Sequence, residues 1–355
     1  MKLVIAGGGT GGHVFPALAV AQEWQKRGVG REVVIVGTKR GLESRLVPAA
    51  GLPLETIRVG GLKGMRGGRL VQNLALLPVS LADAARVLRR HRPAAAFGVG
   101  GYASGPVLLM AKLFGIPIVI FEPNAVPGFA NRLLGPLADR VATVFPQADY
   151  WGPRARQTGC PVREEFFCVP ARQPRASFTV LITGGSQGAR LINQAVMEAL
   201  PLLAAHRERL FFIHQTGERD YNAVREAYAA QKLRAEVVPF IKDMAQRMAQ
   251  ADLLVCRSGA VTLAEIAAAG RAAILIPFGA AADSHQLRNA QVFEAAGAAR
   301  VIPQDQLTAQ RLAETITTLL SQPRQIEEME QRVRTLARPH AAVAIADLIE
   351  QAVQS

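Results

Sequence analysis

The sequence predicts an α/β protein of two doubly wound parallel-sheet domains, and three observations carry that prediction. A strand running into a glycine-rich loop and then a helix occurs twice. Lys2 to Ala6 enters Gly7-Gly-Gly-Thr-Gly-Gly-His13, and Phe178 to Thr183 enters Gly184-Gly-Ser-Gln-Gly-Ala189. Short, continuous apolar runs alternate with helical patterns, as expected of parallel strands buried on both faces. The chain has 355 residues, half of them hydrophobic, which exceeds the usual length of one domain and suffices for two cores.

Strands are expected at 3–6, 32–36, 95–99, 116–121 and 140–144 in the first half. The second half repeats the scheme at 179–183, 210–215, 235–239, 253–256 and 273–277. Pro161, Pro170 and Pro174 break regular structure around Val162 to Ser177, and Arg172 and Arg175 keep that segment polar, so the boundary belongs there. Residues 326–355 have a helical period interrupted at Pro339. The expected organisation is a domain over 1–162, a second over 163–340, and a terminal helix over 341–355 that packs back on the first domain.

Composition narrows the class. Three cysteines without Cys-x-x-Cys spacing suggest neither a disulfide framework nor a zinc ribbon, which fits a reducing cytosol. The apolar start is broken by glycine at Gly7, so no secretory signal is expected. The most apolar stretch, Pro106 to Phe121, carries Lys112, Gly115 and Pro117 and reads as helix, turn and strand rather than a membrane span. The net charge of +13 is uneven: residues 1–160 hold 20 Lys and Arg against 8 Asp and Glu, and the remainder holds 21 against 20. A basic first half seeks polyanions: nucleic acid, anionic lipid or a phosphorylated substrate. No aromatic RNA platform or helix-turn-helix pattern accompanies it, so nucleic acid is not an expected partner.

The glycine elements carry the chemistry. A strand–loop–helix unit cradles phosphate through backbone N–H groups and the positive end of the helix. The first unit also matches Gly-x-Gly-x-x-Gly at Gly7, Gly9 and Gly12, but a nicotinamide site needs an acid at the end of the second strand, where this chain has Val36-Gly-Thr38-Lys39. His13 falls where the first helix begins, and a histidine there is a candidate general base, kept neutral by the helix N-terminus. A third glycine element, Gly98 to Pro106, offers another anion contact. Glu122 and Asn124 stand at a strand's carboxyl end, where α/β proteins bind ligands, although a salt bridge or cap explains Glu122 equally. In Cys256-Arg-Ser-Gly-Ala-Val-Thr262-Leu-Ala-Glu265, the spacing fits either a capping box or a carboxylate facing ribose hydroxyls. The loop from Phe278 to Asn289, with Gln286, suits sugar hydroxyls.

Gly-Gly-Thr-Gly-Gly-His13, Gly-Gly-Tyr-Ala-Ser-Gly-Pro106, Asn124-Ala-Val-Pro-Gly, Gly-Gly-Ser-Gln-Gly188 and Arg-Ser-Gly-Ala-Val-Thr-Leu-Ala-Glu265, in this order, resemble the MurG family of bacterial glycosyltransferases. That family adds N-acetylglucosamine to lipid I to make lipid II, the peptidoglycan precursor. The resemblance runs from Lys2 beyond Asn289. It implies a GT-B fold, two Rossmann-like doubly wound parallel-sheet domains facing a cleft, and an inverting, metal-independent transfer with no cofactor. UDP-N-acetylglucosamine is the implied donor, and undecaprenyl-linked lipid I the implied acceptor. The implied location is peripheral, on the anionic cytoplasmic face of the inner membrane.

Carried over by motif, Thr10, Gly11, Gly12 and Asn124 approach the donor from the first domain, and Arg163 and Ser186 lie toward the diphosphate. Ile241 with Ala260, Val261, Thr262, Leu263, Ala264 and Glu265 form the uridine and ribose site, and Gln286 meets the sugar, a contact His285 is placed to share. His13, or second to it Glu122, is the implied base. The family commonly has His-Glu-Gln-Asn where this chain has Phe121-Glu-Pro-Asn124. For the membrane, Leu70, Leu74, Leu77, Val79 and Leu81 among Lys63, Arg66, Arg69, Arg86, Arg89, Arg90 and Arg92 form a basic and apolar pattern suited to headgroups.

Overall fold

The computed structural model describes residues 1–60, 75–173, 175–185, 187–279 and 285–354. Ser186, Lys63, Arg66, Arg69, Leu70 and Leu74 lie outside the described residues. The chain forms two compact units, Met1–Val162 with Arg338–Ser355, and Arg163–Ala337.

The first unit holds a seven-stranded sheet of β1 (Lys2–Gly7), β2 (Glu32–Gly37), β3 (Leu54–Thr56), β4 (Ala95–Gly100), β5 (Ile118–Glu122), β6 (Arg140–Thr143) and β7 (Ala155–Gln157). Its strand order is β3-β2-β1-β4-β5-β6-β7, with every pair parallel. The second unit holds six strands: β8 (Phe178–Thr183), β9 (Leu210–Gln215), β10 (Arg234–Val238), β11 (Leu253–Cys256), β12 (Ala273–Leu275) and β13 (Ala299–Val301). They are ordered β10-β9-β8-β11-β12-β13 and are also parallel throughout. Leu3, Val4, Ile5 and Ala6, like Val180, Leu181 and Ile182, are wholly buried, because helices cover both faces of the strands they sit in. The edge strands β3, β7 and β13 have three residues each and are absent from the sequence reading. Leu-Glu-Thr, Ala-Arg-Gln and Ala-Arg-Val each include a polar residue and make no continuous apolar run, whereas the equally short β12 reads Ala-Ile-Leu.

Strand order reverses between β1 and β4 in one sheet and between β8 and β11 in the other. Ligands of open parallel sheets lie beyond the carboxyl ends of strands at such switch points. Both glycine loops emerge there.

The helix Ala341–Gln354 belongs to the first unit, where it packs on the helix Gly11–Lys26 and on β4, β5 and β6. Its apolar stripe buries Ile345, Leu348 and Ile349, each contributing about 1.5–3 kcal/mol on removal from water. Charge fixes its register: the Arg27 guanidinium lies 2.7 Å from Asp347 and 3.1 Å from Glu350, and Arg31 lies 2.7 Å from Glu350.

Candidate active site

In the first unit the site is built on the loop after β1. Thr10 caps the helix Gly11–Lys26 in extended conformation, which makes His13 its third residue. Pro16 lies inside that helix and has no N–H, so the Gly12 carbonyl lacks its usual intrahelical donor. The His13 ring is half-buried, with Nδ1 at 3.1 Å from the Gly8 carbonyl and 3.4 Å from Thr10 Oγ1. A carbonyl can only accept, so the Nδ1–Gly8 contact makes Nδ1 the donor, and in the neutral ring that leaves Nε2 bare. Desolvation holds the His13 pKa below its ordinary value, against the opposing pull of the Gly8 bond and the Glu43 charge. The ring is therefore neutral at pH 7, with an open acceptor nitrogen, which is what a general base requires.

The third glycine element lies against this ring. A Cβ on Gly100 would stand 2.9 Å from His13 Nε2. Ser104, buried, donates to the Ala6 carbonyl at 2.6 Å and accepts from the Gly100 amide at 3.1 Å, tying the end of β4 to the end of β1. Here the Gly98–Pro106 segment, expected to contact an anion, buttresses the first loop.

Glu122 is fully enclosed. Its Oε1 accepts from the Asn124 amide at 2.9 Å and from Asn124 Nδ2 at 3.2 Å; its Oε2 accepts from Gly128 N at 2.8 Å and Asn131 Nδ2 at 2.9 Å. Burial raises its pKa, and these four bonds oppose the rise. The carboxylate organises the loop after β5, while the Asn124 carbonyl accepts from Gln147 Nε2, whose own Oε1 takes the Trp151 indole N–H.

In the second unit the loop after β8 leads into the helix Arg190–Leu203. Gln215, at the end of β9, joins this loop to Ile241: its Nε2 donates to the Gly185 carbonyl at 2.7 Å, and its Oε1 accepts the Ile241 amide at 2.9 Å. Ile241 is thus left with its carbonyl as a polar group for a ligand. The helix Ala260–Ala269 starts from Gly259 in extended conformation, with no side-chain cap. The capping box, one of the two readings the Thr262–Glu265 spacing allows, therefore does not form: the helix begins earlier than that spacing assumes, and both residues lie inside it. Of the Ala260–Glu265 run, Ala260 and Leu263 are buried in the core.

Glu265 stands free of the capping role, and burial raises its carboxyl pKa to about 7, with Arg163 opposing and Glu165 adding to the rise. The Arg163 guanidinium lies 2.8 Å from Glu165, 4.0 Å from Glu265 and over the Phe166 ring. It sits beside Glu265. Gln286 holds two strand ends together: Ser258 Oγ donates to its backbone carbonyl at 2.8 Å, and its Oε1 accepts the Phe278 amide at 3.0 Å. Its side-chain NH₂ remains the group suited to a sugar hydroxyl.

Glu43, Ser104 and Gln215 are the residues sequence reasoning passed over. A ribose-binding acid belongs at the end of β2, and Glu43 comes six residues beyond Gly37, on the helix Glu43–Ala49. It folds back under the first loop and is buried, so it does not face a ribose.

Two Rossmann-like parallel sheets, each with a glycine loop at its switch point, and a neutral histidine at one of them define a nucleotide-sugar transferase architecture of the two-domain α/β type. Family models agree: that of the glycosyltransferase family 28 N-terminal domain matches residues 3–143, and that of its C-terminal domain matches residues 179–349. The chain belongs to glycosyltransferase family 28. It is 46% identical over 352 residues to the UDP-N-acetylglucosamine--N-acetylmuramyl-(pentapeptide) pyrophosphoryl-undecaprenol N-acetylglucosamine transferase of Myxococcus xanthus, covering 98% of this chain and 92% of that protein. It is 47% identical over 360 residues to the protein of the same name from an Anaeromyxobacter species, covering 100% and 94%. The crystal structure of Acinetobacter baumannii MurG superposes with a TM-score of 0.82 at 34% identity, over 99% of both chains.

Proposed function

We propose that this chain moves N-acetylglucosamine from UDP-N-acetylglucosamine to the 4-hydroxyl of the N-acetylmuramyl group of lipid I, yielding lipid II for peptidoglycan. The observation that carries this reading is the near full-length likeness to transferases of that name, which spans both units and both glycine loops.

The second unit is read as the donor side. Uracil meets the Ile241 carbonyl, ribose hydroxyls donate to Glu265, and the start of the helix Arg190–Leu203 faces the diphosphate with its free N–H groups. Gln286 offers its NH₂ to the sugar. The acceptor belongs to the first unit. The acceptor oxygen attacks the anomeric carbon opposite UDP, the bond to the diphosphate breaks with its electron pair leaving on UDP, and the hydroxyl proton passes to His13 Nε2. A single displacement inverts the anomeric centre. The neutral, Nδ1-protonated His13 favours this role over Glu122, whose carboxylate already accepts four hydrogen bonds.

The acceptor's lipid tail brings the enzyme to the anionic inner face of the membrane as a peripheral protein. Leu77 is exposed at the start of the helix Leu77–His91, and Arg86, Arg89 and Arg90 are exposed along it. Arg89 stacks on the exposed Phe114 ring, next to the exposed Leu113. Among the described residues no helix is long and apolar enough to cross a membrane.

The test measures UDP release from UDP-N-acetylglucosamine with and without a soluble lipid I analogue. Acceptor-dependent release with formation of the disaccharide is expected; equal release in both arms would overturn the transfer reading. Charge reversal at Arg86, Arg89 and Arg90 is expected to lower cosedimentation with anionic vesicles and leave turnover on the soluble acceptor intact. Unchanged vesicle binding would remove this face from the membrane contact.

A further inference from the structure

Beneath the first glycine loop lies a carboxylate in a space left by glycines. Glu43 is 1% exposed; a Cβ on Gly8 or Gly41 would collide with its carboxyl group, and one on Gly37 with its Cγ. Its Oε1 accepts from the Thr38 amide at 2.8 Å and the Thr38 hydroxyl at 2.9 Å, and its Oε2 accepts from the Gly9 amide at 2.7 Å. On the other side, His13 Nδ1 donates to the Gly8 carbonyl at 3.1 Å. The Gly8 carbonyl and the Gly9 amide are the two ends of one peptide unit. That unit is gripped at its N–H by a carboxylate and at its C=O by the imidazole.

We propose that Glu43 is a positioning residue for His13, acting through the Gly8–Gly9 peptide unit to fix the Nδ1-protonated tautomer and present Nε2 to the acceptor hydroxyl. This rests on the reading of His13 as base. A carboxylate bonded to the amide N–H fixes the plane of the peptide and draws positive charge toward its hydrogen, which makes the carbonyl oxygen at the other end a better acceptor. The stronger acceptor holds the proton on Nδ1, since the tautomer of a histidine is set by the bond its other nitrogen makes. When Nε2 takes the acceptor's proton, the imidazolium is stabilised by the negative charge beyond the peptide. Glu43 thereby does through a peptide what a carboxylate bonded directly to a histidine does in hydrolytic triads. Burial raises the Glu43 pKa, and the bonds from Gly9 and Thr38 outweigh that and keep it below the usual glutamate value, so the group is ionised when the enzyme works.

The experiment begins with the unsubstituted full chain. Nitrogen-15 shifts of the histidine side chains, with the His13 signals identified by their loss in His13→Gln, are expected to show Nδ1 protonated and Nε2 bare. A His13 protonated on Nε2 would overturn the proposal, and this readout requires no variant to fold at position 43. Glu43→Gln turns one of its donors against a backbone N–H. In that variant the other tautomer is expected to become populated, and kcat to fall at least about tenfold with KM for UDP-N-acetylglucosamine within about twofold. An unmoved tautomer, or an unmoved kcat in a Glu43→Gln protein of normal melting behaviour, would overturn it. The double variant Glu43→Gln, His13→Gln is expected to lose no more activity than His13→Gln alone; additive losses would count against action through His13. If His13→Gln keeps full turnover while the nitrogen shifts come out as expected, the base reading fails and the link between Glu43 and the ring's tautomer stands.

Discussion

The two glycine loops follow the same strand–loop–helix pattern and rest on opposite kinds of support. Under the first lies the Glu43 carboxylate, which takes the Gly9 amide. Under the second lie neutral groups: the Gln215 side chain on the Gly185 carbonyl, and Thr183 Oγ1 accepting the Gly185 amide at 3.2 Å. The difference separates their tasks. A diphosphate at the first loop would find one of its amide donors already taken and a second negative charge nearby, which at about 6 Å and an effective dielectric near 20 costs roughly 3 kcal/mol. Among the described residues, the groups that hold Gly185 in the second loop carry no such charge. A glycine fingerprint is therefore a statement about backbone shape, and the side chain beneath it decides the charge of what the loop receives.

The largest effect is expected from removing the His13 ring, which the first loop holds through the Gly8 carbonyl. His13→Ala is expected to lower kcat by about 10²–10⁴ while the donor KM stays nearly constant, as measured by single-turnover transfer. Next comes a transplant of charge: Gln215→Glu places a carboxylate under the second loop and is expected to raise the KM for UDP-N-acetylglucosamine roughly 100-fold, the equivalent of about 3 kcal/mol. A KM within threefold of the unsubstituted enzyme would show that the support's charge does not govern the loop's ligand.

Glu265 supplies a smaller, pH-dependent effect. Its carboxyl titrates at about 7 in the fold, against an ordinary value of 4.5, because it is buried. Ribose hydroxyls donate best to the ionised form, so donor KM is expected to fall severalfold as pH rises from about 6 to 8, and Glu265→Gln to flatten that profile. Linkage has the opposite sign for stability: between about 4.5 and 7 the folded state holds the extra proton, so this group's contribution to stability declines as pH rises through that window. The mildest change is Thr38→Val. It removes one hydroxyl from Glu43 and is expected to cost about 1 kcal/mol in denaturant unfolding, with kcat within twofold.

What the sequence discloses follows the distance over which each signal acts. The glycine loops, His13 and the central strands are legible because each is written in adjacent residues: an apolar run, a break, a helix start. Glu43 meets Gly9 across 34 residues of chain, and Gln215 meets Gly185 across 30, so no local pattern marks either. The Thr262–Glu265 spacing shows the reverse failure, a local pattern satisfied on paper and superseded because Gly259 starts the helix first. Glu122 sits between these cases. Its place at a strand end is evident from the sequence, while its enclosure by Asn124, Gly128 and Asn131 emerges only with the loop's path.

The return of the helix Ala341–Gln354 to the first unit sets a clock on biosynthesis. The ribosome completes the segment up to Val162 and must then add roughly 180 residues before that helix exists. At roughly 5–20 residues per second the delay is on the order of 10–40 s. During that interval the nascent first unit shows the surface that Ile345, Leu348 and Ile349 later cover, and Arg27 waits for Asp347 and Glu350. The half of the molecule that is made first is the half that is finished last.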